Sequence, residues 1–188
     1  NKKWFKKKKK GYVSDKHKWL VVTRLTLKKI GPLFDWAKDI FFNSPQHELH
    51  LFGPMQEQIA IPDWVYYHGS THPQALRENW IPQATGLITL SQHDEGRPQI
   101  MLEAMAAGLP IIASSLPAHN NCIINMQTGI LVDSPEELCL EINRLTYSNM
   151  NQQLADKAKD WVKREVGTWE DCAKRYIKMY RLLLSEDW

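Results

Sequence analysis

Short apolar runs alternate with longer amphipathic stretches along residues 19–147. The runs have four to six residues, are rich in Val, Ile and Leu, and are bounded by Gly, Pro, Asn or Ser, which is typical of buried strands. Strands are therefore predicted at residues 19–23, 48–52, 64–68, 86–90, 110–113 and 129–132. Between them, apolar residues recur every three or four positions and predict helices at 32–42, 72–84, 98–107 and 135–147.

The last 40 residues have no strand pattern and predict two further helices, at 149–166 and 168–185. Gly167 separates these helices, and Thr168 suits the N-cap of the second one. Because strands and helices alternate before this point, the strands are expected to form a parallel sheet with helices on both faces. The predicted fold class is α/β, a doubly wound parallel sheet followed by two carboxyl-terminal helices.

Residues 1–18 differ in composition from the rest of the chain. Seven lysines fall within the first ten residues, and these residues repel one another and supply little apolar surface for a core. We interpret residues 1–18 as a linker or tail and residues 19–188 as one folded domain. The formal net charge of +3 comes from the first ten residues, because residues 11–188 carry 17 basic and 21 acidic side chains, a charge of −4.

Three interpretations of the lysine-rich segment remain open. A solvated interdomain linker is favoured, and attraction to an anionic membrane leaflet comes second, since each lysine contributes about 1 kcal/mol near such a surface. Nucleic-acid binding is the least favoured, because no basic face with interleaved aromatic residues follows the segment. We therefore expect no nucleic-acid partner.

The distribution of apolar residues and cysteines limits the class of protein further. No apolar run approaches the roughly 18 residues of a membrane span, and the amino end does not resemble a secretory leader. The three cysteines are far apart and have no CxxC spacing, which argues against a disulfide framework or a zinc site. We expect a cytoplasmic protein, with peripheral contact at the inner face of the membrane as the alternative that the lysines raise.

Ligands of doubly wound sheets bind at the carboxyl ends of the strands, and the segment after the fourth predicted strand is rich in suitable groups. Pro98 suits the first helical position, which places Glu95 in the preceding loop and Glu103 in the second turn. The free amides of Gln99 and Ile100 would favour a phosphate oxygen. A carboxylate such as Glu103 can accept hydrogen bonds from two adjacent sugar hydroxyls, as in a ribose.

A second set of candidates follows the first predicted strand. Arg24 and Lys29 are five positions apart across a turn, so both can reach one anion at the carboxyl edge of the sheet. A guanidinium and an ammonium together can neutralise a diphosphate. Lys28 is the alternative to Lys29 as the phosphate ligand. No Asp-x-Asp pair ends a predicted strand, so we expect no metal and assign charge neutralisation to the cations.

Six blocks of sequence occur in the order and at the spacings of a known family. They are Val-Thr-Arg-Leu followed by Lys29, His-Leu-Phe-Gly, Tyr-His-Gly, Ser-x-x-x-Glu-Gly-x-Pro, Glu-Ala-Met-Ala-Ala-Gly-Leu-Pro-Ile-Ile-Ala-Ser and Thr-Gly-Ile-Leu-Val. With these blocks, residues 19–147 resemble the carboxyl-terminal, nucleotide-sugar-binding domain of retaining glycosyltransferases with the GT-B fold, family 4 (group 1). The resemblance implies a Rossmann-like sheet, the carboxyl-terminal half of a GT-B fold.

The resemblance also implies roles for individual residues. Arg24 and Lys29 match the pair that binds the donor diphosphate and stabilises the departing nucleoside diphosphate. Glu103 matches the glutamate that holds the ribose hydroxyls, and Glu95 matches the one that contacts the donor sugar near the transferred carbon. We count Arg24, Lys29 and Glu95 as catalytic. The substrate would be a UDP-, GDP- or ADP-sugar, with no cofactor and no metal required.

The remaining predicted contacts with the nucleotide sugar come from loops. Gly69 and Ser70 match the turn whose backbone reads the base, and Gly53 and Ser91 directly follow predicted strands. The loop that touches the sugar and the phosphates matches Gly96, Arg97, Pro98, Gln99 and Ile100. One departure from the family is the stretch Lys29-Ile30-Gly31, because the family usually has Lys-Gly there. The turn is therefore expected to be one residue longer.

The resemblance implies an enzyme that transfers a sugar to a glycan, lipid or protein acceptor, in synthesis of cell-envelope polysaccharide or glycoconjugates. Such an enzyme needs an amino-terminal acceptor domain, so we expect this domain in the same chain or in a partner, and little chemistry without it. The alternative is a non-catalytic subunit of a two-component glycosyltransferase. That Arg24, Lys29, Glu95 and Glu103 are all present favours the enzyme.

The final predicted helix has a broad apolar face. Its residues are Trp169, Cys172, Ala173, Tyr176, Ile177, Tyr180, Leu183 and Leu184. Packing of this face onto the domain's own sheet is the favoured expectation. In the family this helix often crosses back to the partner domain, and an exposed apolar patch is expected if that domain is absent.

Overall fold

The computed structural model describes Trp4 and residues 16–94, 96–146 and 148–185. Within these residues, six strands form one parallel sheet in the order β3-β2-β1-β4-β5-β6. The strands are β1 (His17–Val22), β2 (His47–Phe52), β3 (Val65–Tyr67), β4 (Ala84–Thr89), β5 (Ile111–Ser114) and β6 (Ile130–Val132). Each overlaps a predicted strand, so the predicted doubly wound α/β class is confirmed.

Helices connect the strands and follow the sheet. They are α1 (Leu27–Ile30), α2 (Leu33–Asn43), α3 (Pro73–Ala75), α4 (Gln99–Ala107), α5 (Pro117–Asn120), α6 (Pro135–Thr146), α7 (Ser148–Trp161) and α8 (Trp169–Ser185). A π-helical turn, Val162–Val166, continues α7, and Gly167 then separates it from α8 as predicted. The sequence pattern did not predict α1 and α5, because four residues are too few to show a helical period.

The helix predicted at 72–84 is wrong as one element. α3 has only three residues and is followed by a π-helical turn, Leu76–Trp80, and a 3-10 turn, Ile81–Gln83. Pro82 has no N–H to donate, so a regular α-helix cannot continue through it. The chain then enters β4 at Ala84.

The ordered domain begins earlier than residue 19. β1 starts at His17, which pairs with His47, and Lys16 forms an ion pair with Glu48 at 2.7 Å. Trp4 is only 4% exposed and packs into the core. Trp4 and residues 16–18 of the lysine-rich segment therefore belong to the packed domain. The remaining predictions for that segment fall outside the described residues.

Helices cover both faces of the sheet. α2 and α6 pack on one face through side chains such as Leu33 and Ile142, and α4 and α7 pack on the other. The buried face of α4 includes Ala104 and Ala107, whose small side chains let the helix lie close to the strands. The two layers bury the sheet and leave its carboxyl edge accessible, which is where doubly wound folds bind ligands.

The strand order reverses direction at β1. β2 and β3 lie on one side of β1, and β4, β5 and β6 lie on the other. Such a switch point opens a crevice between the loops at the carboxyl ends of the two central strands. The loops after β1 and β4 are therefore the first place to look for a site.

Candidate functional site

The loop after β1 carries the predicted cations. Arg24 is exposed and Lys29 is partly buried, and α1 begins between them. The Thr26 hydroxyl accepts a hydrogen bond from the Lys29 amide at 3.2 Å, and the Glu57 carboxylate accepts one from the Leu27 amide at 2.7 Å. These two bonds cap α1, which contains Lys29, and Arg24 lies two residues before the N-cap at the carboxyl edge.

The loops after β1 and β4 are bonded directly to each other. The Gln92 amide donates to the Lys28 carbonyl oxygen at 2.8 Å. Gly31 has φ +55°, and a Cβ on it would lie 2.1 Å from the Leu90 carbonyl oxygen. Gly31 therefore lies directly against the end of β4, and only glycine fits this close approach.

Ser91 anchors the loop after β4 from inside. It is 2% exposed, its hydroxyl accepts from the His93 amide at 3.1 Å, and its carbonyl oxygen accepts from the Ser114 hydroxyl at 2.9 Å. His119, which is buried, donates through Nδ1 to the Ser114 carbonyl oxygen at 2.8 Å. Ser91 therefore orients this loop through neighbouring strands, and its direct contact with a nucleotide sugar stays a prediction.

The loop continues to the start of α4. Gly96 and Arg97 are exposed there, and Arg97 forms a hydrogen bond to the thiol of buried Cys122. Glu95, which was predicted to contact the donor sugar, lies outside the described residues. Pro98 was predicted as the first helical residue, which is wrong. With φ −70° and ψ 107° it has an extended backbone and is the N-cap, so α4 begins at Gln99.

This N-cap leaves the start of α4 open. Pro98 supplies no side-chain hydrogen bond to the amides of the first turn, among them those of Gln99 and Ile100. Free amides at a helix start favour a negatively charged group. The contact of these residues with a phosphate stays a prediction.

Glu103 lies in the second turn of α4 and is partly buried. Burial raises the pKa of its carboxyl group, while the Gln99 side-chain amide, which donates to Oε1 at 2.9 Å, and the nearby Arg77 charge oppose that rise. The Arg77 guanidinium in turn lies 5.7 Å from the ring centre of Trp4. A carboxylate with incomplete solvation is a strong acceptor for hydroxyl groups, as ribose binding requires.

Two glycines shape the edge beside β1. Gly53 follows β2 with φ +135°, and a Cβ on it would lie 1.7 Å from the Thr23 carbonyl oxygen. Its amide donates to the Gly69 carbonyl oxygen at 2.8 Å, and its own carbonyl oxygen accepts from the Tyr67 hydroxyl at 2.9 Å. Gly53 therefore joins three strand ends through close packing.

Gly69 and Ser70 form the turn after β3. Gly69 has φ +64°, and a Cβ on it would meet no atom within 4 Å, while Ser70 is exposed. The glycine is needed here for its backbone conformation, and the space above it is open. An open backbone surface suits the predicted contact with a flat base.

Three aromatic side chains beside this turn were not predicted as functional. His50 and His68 stack on each other, and the Trp80 ring lies tilted against both, with ring centres 4.6–5.2 Å apart. His50 and His68 belong to the blocks His-Leu-Phe-Gly and Tyr-His-Gly, but neither spacing nor motif indicates that they contact each other and Trp80. Alternation along β2 and β3 could have placed His50 and His68 on one face.

Among the residues that the structure describes, no cluster of three or more His, Cys, Asp or Glu side chains could hold a metal ion. Over the same residues, every helix is too short or too polar to cross a membrane.

Helix α8 differs from the rest of the domain because none of its described residues is buried. Trp169 is 78% exposed and Leu184 is 86% exposed, and Tyr176, Ile177 and Tyr180 are exposed as well. The favoured expectation that this face packs onto the domain's own sheet is wrong. The apolar patch expected as the alternative is present.

Taken together, the features describe a doubly wound domain with cations and free helix amides at its switch point, a class that binds phosphorylated ligands. Comparison with known proteins names the class: the family described as "Glycosyl transferases group 1" matches residues 17–147, well over half of the chain. The chain belongs to this family.

Curated relatives are longer than this chain. D-inositol 3-phosphate glycosyltransferase of Rhodococcus jostii is 24% identical over 172 residues, which cover 83% of this chain and 38% of the relative. Lipopolysaccharide 1,2-N-acetylglucosaminetransferase of Salmonella typhimurium is 29% identical over 111 residues, covering 57% of this chain and 29% of the relative. The chain thus spans about a third of the length of these relatives.

Solved structures share the fold. Sucrose-phosphate synthase of Thermosynechococcus elongatus matches with a TM-score of 0.76 at 23% identity, over 92% of this chain and 47% of that one. HepE of Anabaena, solved in complex with UDP-glucose, matches with a TM-score of 0.65 at 18% identity, over 79% of this chain and 44% of that one. The carboxyl-terminal domain of LpcC from Francisella tularensis, a glycosyl transferase group 1 protein, matches with a TM-score of 0.67 at 18% identity, over 79% of this chain and 85% of that one. The predicted Rossmann-like, carboxyl-terminal GT-B domain is confirmed as the fold.

Proposed function

We propose that this chain is the donor-binding half of a retaining glycosyltransferase. It binds a nucleoside-diphosphate sugar and contributes to transfer of the sugar to a glycan, lipid or protein acceptor, in synthesis of cell-envelope polysaccharide or glycoconjugates. The observation that carries this proposal is the bonded junction of the β1 and β4 loops. It supports the proposal because Arg24 and Lys29 belong to the first of these loops and the second leads to the start of α4.

The proposed chemistry is electrostatic. The bond between the anomeric carbon and the diphosphate oxygen breaks, and negative charge develops on the departing diphosphate. Arg24 and Lys29 stabilise that charge, and the amides of Gln99 and Ile100 add hydrogen bonds to the phosphates or the sugar. Fixed cations lower the barrier most where the charge changes most, so Arg24 and Lys29 would make the largest contribution of this domain.

Glu103 and the turn after β3 hold the nucleoside in this proposal. The Glu103 carboxylate accepts hydrogen bonds from the two ribose hydroxyls, which restores the solvation that burial removes. Gly69 and Ser70 contact the base through their backbone, and Glu95 contacts the donor sugar near the transferred carbon. We propose that the two cations neutralise the diphosphate without a metal ion.

Calorimetric titration of the chain with UDP, GDP and ADP tests donor binding. We expect one of the three to bind, with the same affinity in EDTA as in Mg²⁺. Lys38→Ala, an exposed lysine on α2, serves as a control and should bind unchanged. If none of the three nucleotides binds, the proposed function is overturned, and binding that requires Mg²⁺ would overturn the metal-free mechanism alone.

A second proposal concerns the acceptor half of the enzyme. We propose that an amino-terminal acceptor domain, in the same polypeptide or in a partner chain, covers the exposed apolar face of α8. Two observations support it: the exposure of that face, and the roughly one-third share of the relatives' length that the chain spans. This chain by itself is expected to bind nucleotide without transferring sugar. Transfer of radiolabelled sugar by the isolated chain would contradict this.

We also propose a cytoplasmic location with peripheral attraction to the anionic inner face of the membrane. The three cysteines, which are all free, suit a reducing compartment. Seven lysines at about 1 kcal/mol each supply the attraction. Sedimentation with vesicles tests this: binding should require anionic lipid and weaken at high salt. Equal binding to neutral and anionic vesicles would remove the membrane proposal.

A further inference from the structure

A chain of hydrogen bonds crosses from the start of β2 to the end of β3. Lys16 Nζ donates to Glu48 at 2.7 Å, and the other carboxylate oxygen of Glu48 lies 3.2 Å from His50 Nε2. His50 Nδ1 lies 2.9 Å from His68 Nε2. His68 directly precedes Gly69, so this chain ends at the turn proposed to contact the base.

The direction of each bond follows from the chemistry of the groups. Burial disfavours the Glu48 carboxylate, but hydrogen bonds from Lys16 and His50 hold the pKa of Glu48 below its ordinary value. A carboxylate only accepts, so His50 donates through Nε2. Burial lowers the pKa of His50, so its ring is neutral and Nδ1 is an acceptor. His68 is therefore the donor to His50, through Nε2.

His68 is held at its backbone as well as its side chain. Its amide donates to the Leu51 carbonyl oxygen at 2.9 Å, which extends the pairing of β3 with β2 by one residue. Its ring stacks on Phe52, with centres 4.5 Å apart, and contacts the tilted ring of Trp80, with centres 4.6 Å apart. Trp80 is the last residue of the π-helical turn Leu76–Trp80, and such turns are frequent at functional sites.

Core packing alone does not account for this arrangement. His50 is 5% exposed and uses both ring nitrogens, whereas a leucine or phenylalanine would fill that space without polar groups to satisfy. His68 remains exposed, although a residue selected for packing would be buried. The series of hydrogen bonds from Lys16 to His68 therefore fixes the orientation of the His68 side chain at the surface, immediately before Gly69.

We infer that His68 is a positioning residue for base recognition: held by His50 and packed between Phe52 and Trp80, it sets the turn at Gly69 and Ser70 that contacts the donor base. This inference rests on the proposed function, because it concerns the base of the same nucleotide. It assigns part of the affinity for the nucleoside to residues that do not touch the ligand. The diphosphate, held by Arg24 and Lys29, is independent of it.

Two substitutions separate the hydrogen bond from the ring. His68→Phe keeps an aromatic ring against Phe52 and Trp80 but removes the donor to His50. His68→Gln keeps an amide donor at the place of Nε2 without the ring. Calorimetry measures each variant with inorganic pyrophosphate and with whichever of UDP, GDP and ADP binds the unmodified chain best.

His68→Phe should weaken nucleotide binding about ten-fold, because one buried acceptor is left without its donor, and should leave pyrophosphate binding unchanged. His68→Gln should restore most of the nucleotide affinity. Amide hydrogen exchange at Gly69 and Ser70 should be faster in His68→Phe than in the unmodified chain. In His68→Gln, the exchange rate should return to that of the unmodified chain. Together these results would separate positioning of the turn from general stabilisation.

The inference fails if His68→Phe binds the nucleotide as the unmodified chain does, or if nucleotide and pyrophosphate weaken by equal factors. It also fails if exchange at the turn is unaltered. If the unmodified chain binds none of the three nucleotides, the proposed function falls and the inference falls with it. Failure of the inference alone is thus distinguishable, since it requires normal nucleotide binding by the unmodified chain.

Discussion

The switch-point loops and helix α8 differ in how much of their environment this chain supplies. Backbone hydrogen bonds, two tightly packed glycines and the buried Ser91 hold the loops after β1, β2 and β4 together. Helix α8 has an apolar face but no buried residue among those described. The loops of the proposed donor site are therefore held within this domain, whereas the described residues leave the apolar face of α8 uncovered. Binding and transfer should be separable for this reason.

The largest effect is expected where the loops pack most tightly. Gly53→Ala places a Cβ 1.7 Å from the Thr23 carbonyl oxygen at φ +135°, so the strand ends must separate. We expect a loss of about 3 kcal/mol or more in the free energy of unfolding, measured in urea. Gly96→Ala is the matched control, because a Cβ there meets no atom within 4 Å. Equal stability of the two variants would mean that the loops are not held as described.

Mild acid should destabilise the domain at the edge of the sheet opposite the site. Burial lowers the pKa of His47, at the start of β2, to about 4 from 6.5. The unfolded chain therefore binds a proton between pH 6.5 and 4 that the folded chain does not, and stability falls as the pH falls through this range. The loss approaches about 3 kcal/mol at pH 4.

His47→Phe tests this source of acid sensitivity. The variant keeps a ring beside Phe41 and should show a flatter dependence of unfolding free energy on pH between 6.5 and 4. Chemical denaturation at four or five pH values provides the measurement. An unchanged pH dependence would assign the acid sensitivity to other groups.

An intermediate effect on binding is expected at Glu103. Glu103→Ala should weaken nucleoside-diphosphate binding by about 1.5–3 kcal/mol, because a charged acceptor of hydrogen bonds from hydroxyls is lost. The stability should change little, since removal of a partly buried carboxylate also removes its desolvation cost. Glu165→Ala, an exposed glutamate far along the chain, is the control for calorimetry. Unchanged affinity in Glu103→Ala would count against the ribose contact.

The smallest effect is expected at α8. Tyr180→Ala and Leu184→Ala should change the free energy of unfolding by less than about 0.5 kcal/mol, because neither side chain is buried. Nucleotide affinity should be unaltered. By comparison, Leu154→Ala, which truncates a buried side chain of α7, should lower the free energy of unfolding by about 2–5 kcal/mol. A loss at α8 as large as that at Leu154 would show that the helix packs against this domain.

Local patterns in the sequence were sufficient for the sheet but not for the contacts between its loops. Each predicted strand was confirmed because a run of branched apolar residues reports burial directly. The bond from Gln92 to Lys28 joins residues that are 64 positions apart, and neither residue type indicates it. The same holds for His50 and His68, which meet only because β3 pairs with β2.

The boundary errors have physical causes of their own. Pro98 suits both the first helical position and the N-cap, and its ψ of 107°, which the sequence does not reveal, decides between them. The segment at 72–84 has a helical period, but Pro82 and the π-helical turn divide it. For α8, an apolar face predicts burial without saying against which partner.

The proposed function depends most on the binding of the diphosphate by Arg24 and Lys29 at the β1–β4 switch point. Calorimetry on the double variant Arg24→Ala with Lys29→Ala tests this contact most directly. The account predicts a loss of at least about 100-fold in nucleoside-diphosphate affinity, because two charge-assisted contacts are removed. Lys38→Ala should bind as the unmodified chain does. Retention of full affinity by the double variant would contradict the claim.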